Sequence, residues 1–221
     1  MGNRGMGQFK HGVQIFDESG ASIMEVGSHV IRENSEFSKE LGIISASWGQ
    51  AEINLNCLFA VLLDVSPSEA AKQLQRREYN SAQKVTWAAK RIARERLTGV
   101  ELDSVVNILD QFDLIRKMRN RLQHDVWAKK GMDKNKLFCI HSDQYLEFTT
   151  QFFAASQRIP SDVQVGHVIA LANQFAASIQ MGYTINDLQE INRSVDEISR
   201  SLMQAMFFHM SKRTYISQIG Q

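Results

Sequence analysis

Proline is the residue a helix interior excludes, and this 221-residue chain has only two, Pro67 and Pro160. With only 13 glycines as further breakers, long uninterrupted segments are available for helix. Ala, Leu, Gln, Glu and Arg are plentiful, a balance that favours an all-α fold. At 43% hydrophobic residues the chain can bury one substantial core, with room for an appended hairpin.

Periodicity sets the expected elements. Residues 1–27 have few large apolar residues and no clear period, so a loosely ordered N-terminal tail is expected there. From Ser35 to Asp64, Leu41, Ile44, Trp48, Ala51, Leu55, Leu58, Phe59 and Leu62 fall on one helical stripe. Ser66, Pro67 and Glu69 form an N-cap, a first-turn proline and a capping-box spacing, which start a short helix reaching about Arg77. Further helices are expected over Ser81–Leu97 and Glu101–Lys129. After the turn-rich "KKGMDKN", the stretch "LFCIHSDQYLEFTT" suggests a small β-hairpin around Ser142 and Asp143. Pro160 and Ser161 open a helix to about Met181, and a last helix spans about Asn186–Met210. In that last helix Leu188, Ile191, Val195, Ile198, Leu202 and Ala205 make a narrow seam. It suits a C-terminal helical hairpin with the preceding helix, the alternative being a dimer seam. The expected organisation is a helical bundle over 28–135 and, over 136–221, a β-hairpin plus a two-helix extension packed on it.

Charge and cysteine usage narrow the function classes. The formal charge is +1, yet residues 72–136 hold 16 Lys/Arg against 8 Asp/Glu, a net +8, and the remainder holds 9 against 16, a net −7. A basic middle in a neutral chain points to a localised anionic partner, or to pairing with the acidic ends. Cys57 and Cys139 lie in apolar runs without metal-ligand spacing, and reduced thiols are expected of both. "MGNRGMGQFKHG" carries no apolar signal region, and Met6 stands where an N-myristoylation signal needs Ser or Thr. No apolar run approaches the roughly 18 residues of a membrane span. A cytoplasmic location without membrane attachment is the expectation. No glycine-rich phosphate loop, CxxC or HxxxE is present, so neither a metal nor a cofactor is expected.

The densest basic stretch is "RKMRNRLQHDVW", Arg116 to Trp127. On a helical wheel with Arg119 at 0°, Ile108, Ile115, Leu122 and Val126 mark the core face. Gln123, Arg116, Trp127, Asn120 and His124 fall at about 40°, 60°, 80°, 100° and 140°, a polar stripe beside that core. In the first half of the same helix this sector is apolar: Val105, Leu109 and Phe112. A buried sector that turns polar over its last turns suits the wall of a cleft. Glu52 sits inside the apolar stripe of the long first helix, where a carboxylate needs a partner. Arg116 or Arg119 is the natural one, either to fix helix register or to orient a functional arginine.

The run Arg119-Asn120-Arg121-Leu122-Gln123-His124 is an arginine, a polar residue directly after it, and a histidine at RNx3H spacing near the end of a long helix. It resembles the motif of the HEPN superfamily, and "SWGQAEINLNCLFAVLL" looks like the first long helix of larger HEPN-type bacterial proteins. The resemblance covers roughly residues 35–130. It implies an antiparallel helical bundle, commonly a homodimer in which two motifs line a shared cleft. It also implies a metal-independent endoribonuclease, in a toxin, antiviral-defence or toxin–antitoxin setting with an antitoxin partner. Other members of that superfamily are non-catalytic and bind a nucleotide, RNA or a protein.

The residue types suit the chemistry. Cleavage by the 2′-hydroxyl needs a base, an acid and a cation for the phosphorane charge. An imidazole changes protonation near neutral pH, so His124 can fill either proton-transfer role. Arg119 offers a fork matched to phosphate oxygens, and Asn120 can hold the phosphate or the imidazole. Arg116, Arg121, Gln123 and Glu52 are expected in support, with ordinary solvated charge as the alternative for Arg121, which lies off the polar stripe. One motif histidine per chain is few for two roles, and a symmetric dimer would bring two. His141 is assigned to the surface of the hairpin turn, with approach to a partner's cleft as its alternative, and Trp127 to packing, with base stacking as its alternative. A third class of function, a helical interaction protein, would use the seam of residues 188–205.

Overall fold

The computed structural model describes residues 12–131, 133, 135–156 and 162–219. Among them are helices α1 (Ser28–Arg32), α2 (Ser35–Leu63), α3 (Pro67–Leu74), α4 (Ala82–Arg96), α5 (Gly99–His124), α6 (Ser142–Ser156), α7 (Asp162–Ser178) and α8 (Ile185–Ile219). Strands β1 (Gly12–Phe16), β2 (Ser22–Gly27), β3 (Val126–Lys130), β4 (Leu137–Ile140) and β5 (Gly182–Tyr183) complete a mostly helical protein with a small antiparallel sheet. The described residues fall into two compact units. One is drawn from Met1–Leu41 and Asn120–Gln189, the other from Gly42–Arg119 and Glu190–Gln221. This division differs from the expected 28–135 and 136–221, because α2, α5 and α8 each give residues to both units.

The first unit holds the sheet, in the order β1-β2-β3-β4-β5 with every pair antiparallel. The expected tail is therefore replaced over Gly12–Gly27 by two strands; the rest of it, residues 1–11, lies outside the described residues. Val13 pairs with Val26 and Ile15 with Met24, and Met24 and Val26 are fully buried while Glu25 between them is not. That alternation is the strand period. The β1–β2 turn is set by Asp17, whose carboxylate accepts the backbone N–H of Ser19 (2.8 Å) and of Ala21 (2.9 Å), with Gly20 at φ +84°. At Gly12 a Cβ would lie 2.2 Å from the Val26 carbonyl oxygen and 2.7 Å from the His29 ring, so only glycine fits there.

Two further expectations change in this unit. The helix expected to reach Lys129 stops at His124, and Val126–Lys130 is strand, paired with β2 on one side and β4 on the other. Val126 and Trp127, a β-branched and an aromatic residue, suit a strand flanked on both sides. The hairpin expected around Ser142 and Asp143 is not formed: β4 is its first strand, but Ser142–Ser156 is helix. Tyr145, Phe148 and Phe152 stand at steps of three and four, and all pack on the unit's core. The hairpin is instead β3–β4, turning through Gly131 at φ +47°. Helices α6 and α7 cover the sheet, with Phe148 and Phe175 stacked at 4.0 Å over a core that includes Ile15, Met24, Val26, Ala128 and Ile140. Lys130 donates to the Ile179 carbonyl just past α7 and lies 4.4 Å from the Phe138 ring centroid; burial pulls its pKa down.

The second unit is helical. The α2 stripe is buried as expected at Ile44, Trp48, Ala51, Leu55, Leu58, Phe59 and Leu62. Ser66 and Ser81 act as N-caps, their hydroxyls accepting the backbone N–H of Glu69 (3.2 Å) and Lys84 (3.4 Å). Arg96 donates to the Leu62 carbonyl at 2.9 Å, satisfying one of the last acceptors of α2. Trp48 stacks on Phe112 with centroids 4.7 Å apart. The seam of α8 is buried at Ile191, Val195, Ile198 and Leu202, and the helix is tied to α2 through Asn54 and Ser199. Buried Asn54 donates through Nδ2 to the Ser199 carbonyl (3.0 Å) and to its Oγ (2.9 Å), while its Oδ1 accepts from Gln50 (3.1 Å).

Replacing Asn54 by alanine removes both of its buried hydrogen bonds to α8, a loss of about 1–3 kcal/mol. Ser199→Ala removes only one of them, so its cost is expected to be the smaller. Urea unfolding of the two variants, compared at equal slope, checks the order.

Candidate active-site cavity at the end of α5

The residues of the basic stretch are sorted by where α5 stops. Asp125 makes the last helical contact, its N–H donating to the Arg121 carbonyl at 3.0 Å. Trp127 then folds back, its Nε1–H donating to the Leu122 carbonyl at 3.1 Å. This satisfies one acceptor of the last turn, which otherwise has no intrahelical partner. Trp127 is buried in β3, its ring 6.0 Å from that of Tyr183, so it packs the unit rather than offering a face to a base.

Beside this turn lies an open cavity of about 680 Å³. Asn120, Arg121 and His124 line it from the last turns of α5, and Asp125 from the bend. His141, Ser142 and Gln144 line it from the start of α6. Arg121 Nε sits 3.3 Å from Asp125 Oδ2; the arginine side chain is 41% exposed and the carboxylate side chain 7%. A nearly buried carboxylate thus anchors a cation that still reaches solvent, a geometry suited to presenting a guanidinium fork to an anion. Behind the pair, burial and the Asp125 charge push the Cys139 thiol up to about 12, with Arg121 acting in the opposite sense. Burial likewise raises the Tyr183 phenol. Both cysteines are free thiols.

The remaining candidates are distributed elsewhere. Arg119 belongs to the second unit, where its guanidinium lies 5.6 Å from the Trp48 ring centroid. Burial lowers its pKa and the charge of Glu52 works against that shift. Of the two arginines considered for Glu52, it is therefore Arg119 that feels its charge. Arg116 is held by Asp113, with nitrogen–oxygen distances of 2.8 and 2.9 Å, and Lys117 reaches the same carboxylate at 3.2 Å. Burial alone would raise the Asp113 carboxyl, but these two cations hold it below its ordinary value. Glu52 itself lines a separate cavity of about 330 Å³ with Asn56, Tyr79 and Asn80. Gln123 is exposed on α5.

Sequence reasoning missed Asp125, His141, Ser142 and Gln144 as cavity residues. The usable signal was the Tyr145, Phe148 and Phe152 spacing, which starts a helix directly after His141. Among the described residues no group of three or more His, Cys, Asp and Glu side chains is placed to hold a metal ion. No helix among them is long and apolar enough to cross a membrane.

Fold and cavity define a mostly helical protein whose five-stranded antiparallel sheet supports a histidine- and arginine-lined opening at a helix end. No family model matches the chain, and neither the curated proteins nor the solved structures contain a match.

The Cys139 environment is directly testable. At about pH 8.5, where an ordinary thiol is half ionised, Cys139 is expected to resist a thiol-specific disulfide reagent in the folded protein. It should react fully once the chain is unfolded, and quantified labelling by mass spectrometry distinguishes the two.

Proposed function

We propose that the protein is an endoribonuclease that cleaves RNA by 2′-hydroxyl attack on the adjacent phosphorus, without a metal ion, in the cavity at the end of α5. The observation that carries this is the convergence of Asn120, Arg121 and His124, three residues of one RNx3H run, on a single open cavity. His124 takes the proton from the 2′-hydroxyl as O2′ attacks. Arg121, steadied by Asp125, meets the charge that grows on the phosphate oxygens, and Asn120 donates to the same oxygens. Arg119 is a positioning residue in this proposal. Its cation on Trp48, with Glu52 supplying the opposing charge, holds α5 in register rather than touching RNA. The resemblance to HEPN-type ribonucleases supports the same reaction class, and the basic middle of the chain supports a polyanionic ligand.

The pairing of Arg121 with Asp125 favours a second reading, in which the arginine lining the cavity is already matched by a carboxylate. The cavity then binds a nucleotide or an RNA segment without turnover.

Single-stranded RNA incubated in EDTA is expected to yield fragments with 2′,3′-cyclic phosphate and 5′-hydroxyl ends. His124→Ala should slow this by about 100-fold or more, and Arg121→Ala should weaken it with a flatter dependence on salt. Equal cleavage by wild type and His124→Ala would refute the nuclease. Saturable binding of the oligonucleotide with no products would select the second reading.

A further inference from the structure

If RNA is cleaved at this cavity, the reaction needs two proton transfers: one from the attacking 2′-oxygen and one to the leaving 5′-oxygen. His124 supplies one imidazole. The sequence places another histidine, His141, on an expected hairpin turn, on the surface or within reach of a partner's cleft. The fold changes that. Because Ser142–Ser156 is helix and β4 is paired on both edges, His141 is fixed at the junction of β4 and α6. There it lines the same cavity as His124, within the same compact unit of one chain.

We propose that His141 is the second proton-transfer residue of the site, the general acid that protonates the 5′-oxygen, so that one chain carries a complete acid–base pair for RNA phosphodiesters. This rests on the endoribonuclease proposal above and adds to it a residue outside the RNx3H run. Local geometry supports the role. The backbone N–H of Asp143 donates to His141 Nδ1 at 3.4 Å, which leaves the proton of the neutral ring on Nε2. In the imidazolium, the Asp143 carboxylate is the nearby counter-charge, 3.6 Å from Nδ1. The ring thus has a partner for Nδ1 in both protonation states, and Nε2 is the atom left to exchange a proton with a ligand. The charged groups around the pair are Arg121 and Asp125 on the α5 side and Asp143 on the α6 side.

The step balances without a further reagent. The O2′–P bond forms as the neutral His124 ring accepts the 2′-hydroxyl proton, and the P–O5′ bond breaks as the His141 imidazolium gives its Nε2 proton to O5′, keeping its other proton on Nδ1 beside the Asp143 carboxylate. The products are a 2′,3′-cyclic phosphate and a 5′-hydroxyl. Water then returns the two imidazoles to their starting protonation states. The shared cleft of a dimer is not needed to bring two histidines together.

The test compares RNA with a nitrophenyl ester of uridine 3′-phosphate, whose leaving group departs without a proton. His141→Ala and His141→Gln are expected to slow RNA cleavage about 100-fold or more while hydrolysing the nitrophenyl ester at close to the wild-type rate. His124→Ala should lose both activities. Mixing His124→Ala chains with His141→Ala chains should restore nothing. If His141 variants cleave RNA as wild type does while His124→Ala is inactive, the acid assignment is wrong and the nuclease proposal stands. Recovery of activity on mixing would show that the two histidines meet between chains, overturning the single-chain site. If wild-type protein cleaves neither substrate, the nuclease proposal fails and this one falls with it. Equal loss on both substrates in His141→Gln, with unfolding unchanged from wild type, would also exclude a role as acid.

Discussion

The abrupt end of α5 is the constraint on which the first unit depends. Within three residues the chain leaves the helix at His124, turns at Asp125 and enters the centre of a sheet at Val126. Two contacts hold that corner: the Trp127 indole on the Leu122 carbonyl, and Arg121 on the nearly buried Asp125 carboxylate. β3 can then pair with β2 and β4 together, and β4 delivers His141 to the start of α6. The corner thus fixes the sheet and the cavity at once. A helix running on to Lys129 would have removed β3 from the sheet and left His124 on a plain helical surface.

Burial of charge at this corner is graded. Asp125 is the most enclosed carboxylate of the cavity, and a nearly buried carboxylate is costly unless a cation and hydrogen bonds compensate it. Arg121 compensates it while still reaching solvent. The same negative charge reinforces burial in keeping the Cys139 thiol protonated, so the layer behind the cavity stays neutral while its mouth carries the titratable groups. Arg119 meets a different environment, on the Trp48 ring with Glu52 as its electrostatic counterweight. Adjacent residues of one helix are therefore divided between packing and the cavity. Spacing on a wheel alone does not make that division.

Much of the helical part of the fold was legible in the sequence, because long amphipathic stripes and capping residues are local signals. The bounds of α2 and α4, and the cap Ser66, follow from residues within one turn of each other. The sheet was not legible for the opposite reason. β1 and β2 are short, and β2 finds its next partner, β3, only after all of α1 to α5. Pairing at that separation leaves no periodic trace in either segment. The candidate cavity was half legible: Arg119, Asn120 and His124 were marked by the RNx3H spacing, and Asn120 and His124 line it, together with Arg121, which was expected in support, while Arg119 does not. Asp125 and His141 become visible only once β3 and β4 are placed. The partner of Glu52 was narrowed to two arginines by sequence, and only packing distinguishes Arg119 from Arg116, which Asp113 holds.

The most direct test of a phosphodiester site at the helix end is imidazole NMR with selectively labelled histidine. It would be recorded during titration with a 2′-O-methyl oligonucleotide, which lacks the attacking hydroxyl and cannot be cleaved. The ring signals of His124 and His141 are expected to shift together along one saturable isotherm, and both shifts should weaken in Arg121→Ala. Binding of the oligonucleotide with both rings unmoved would place the ligand elsewhere and contradict the cavity as its site.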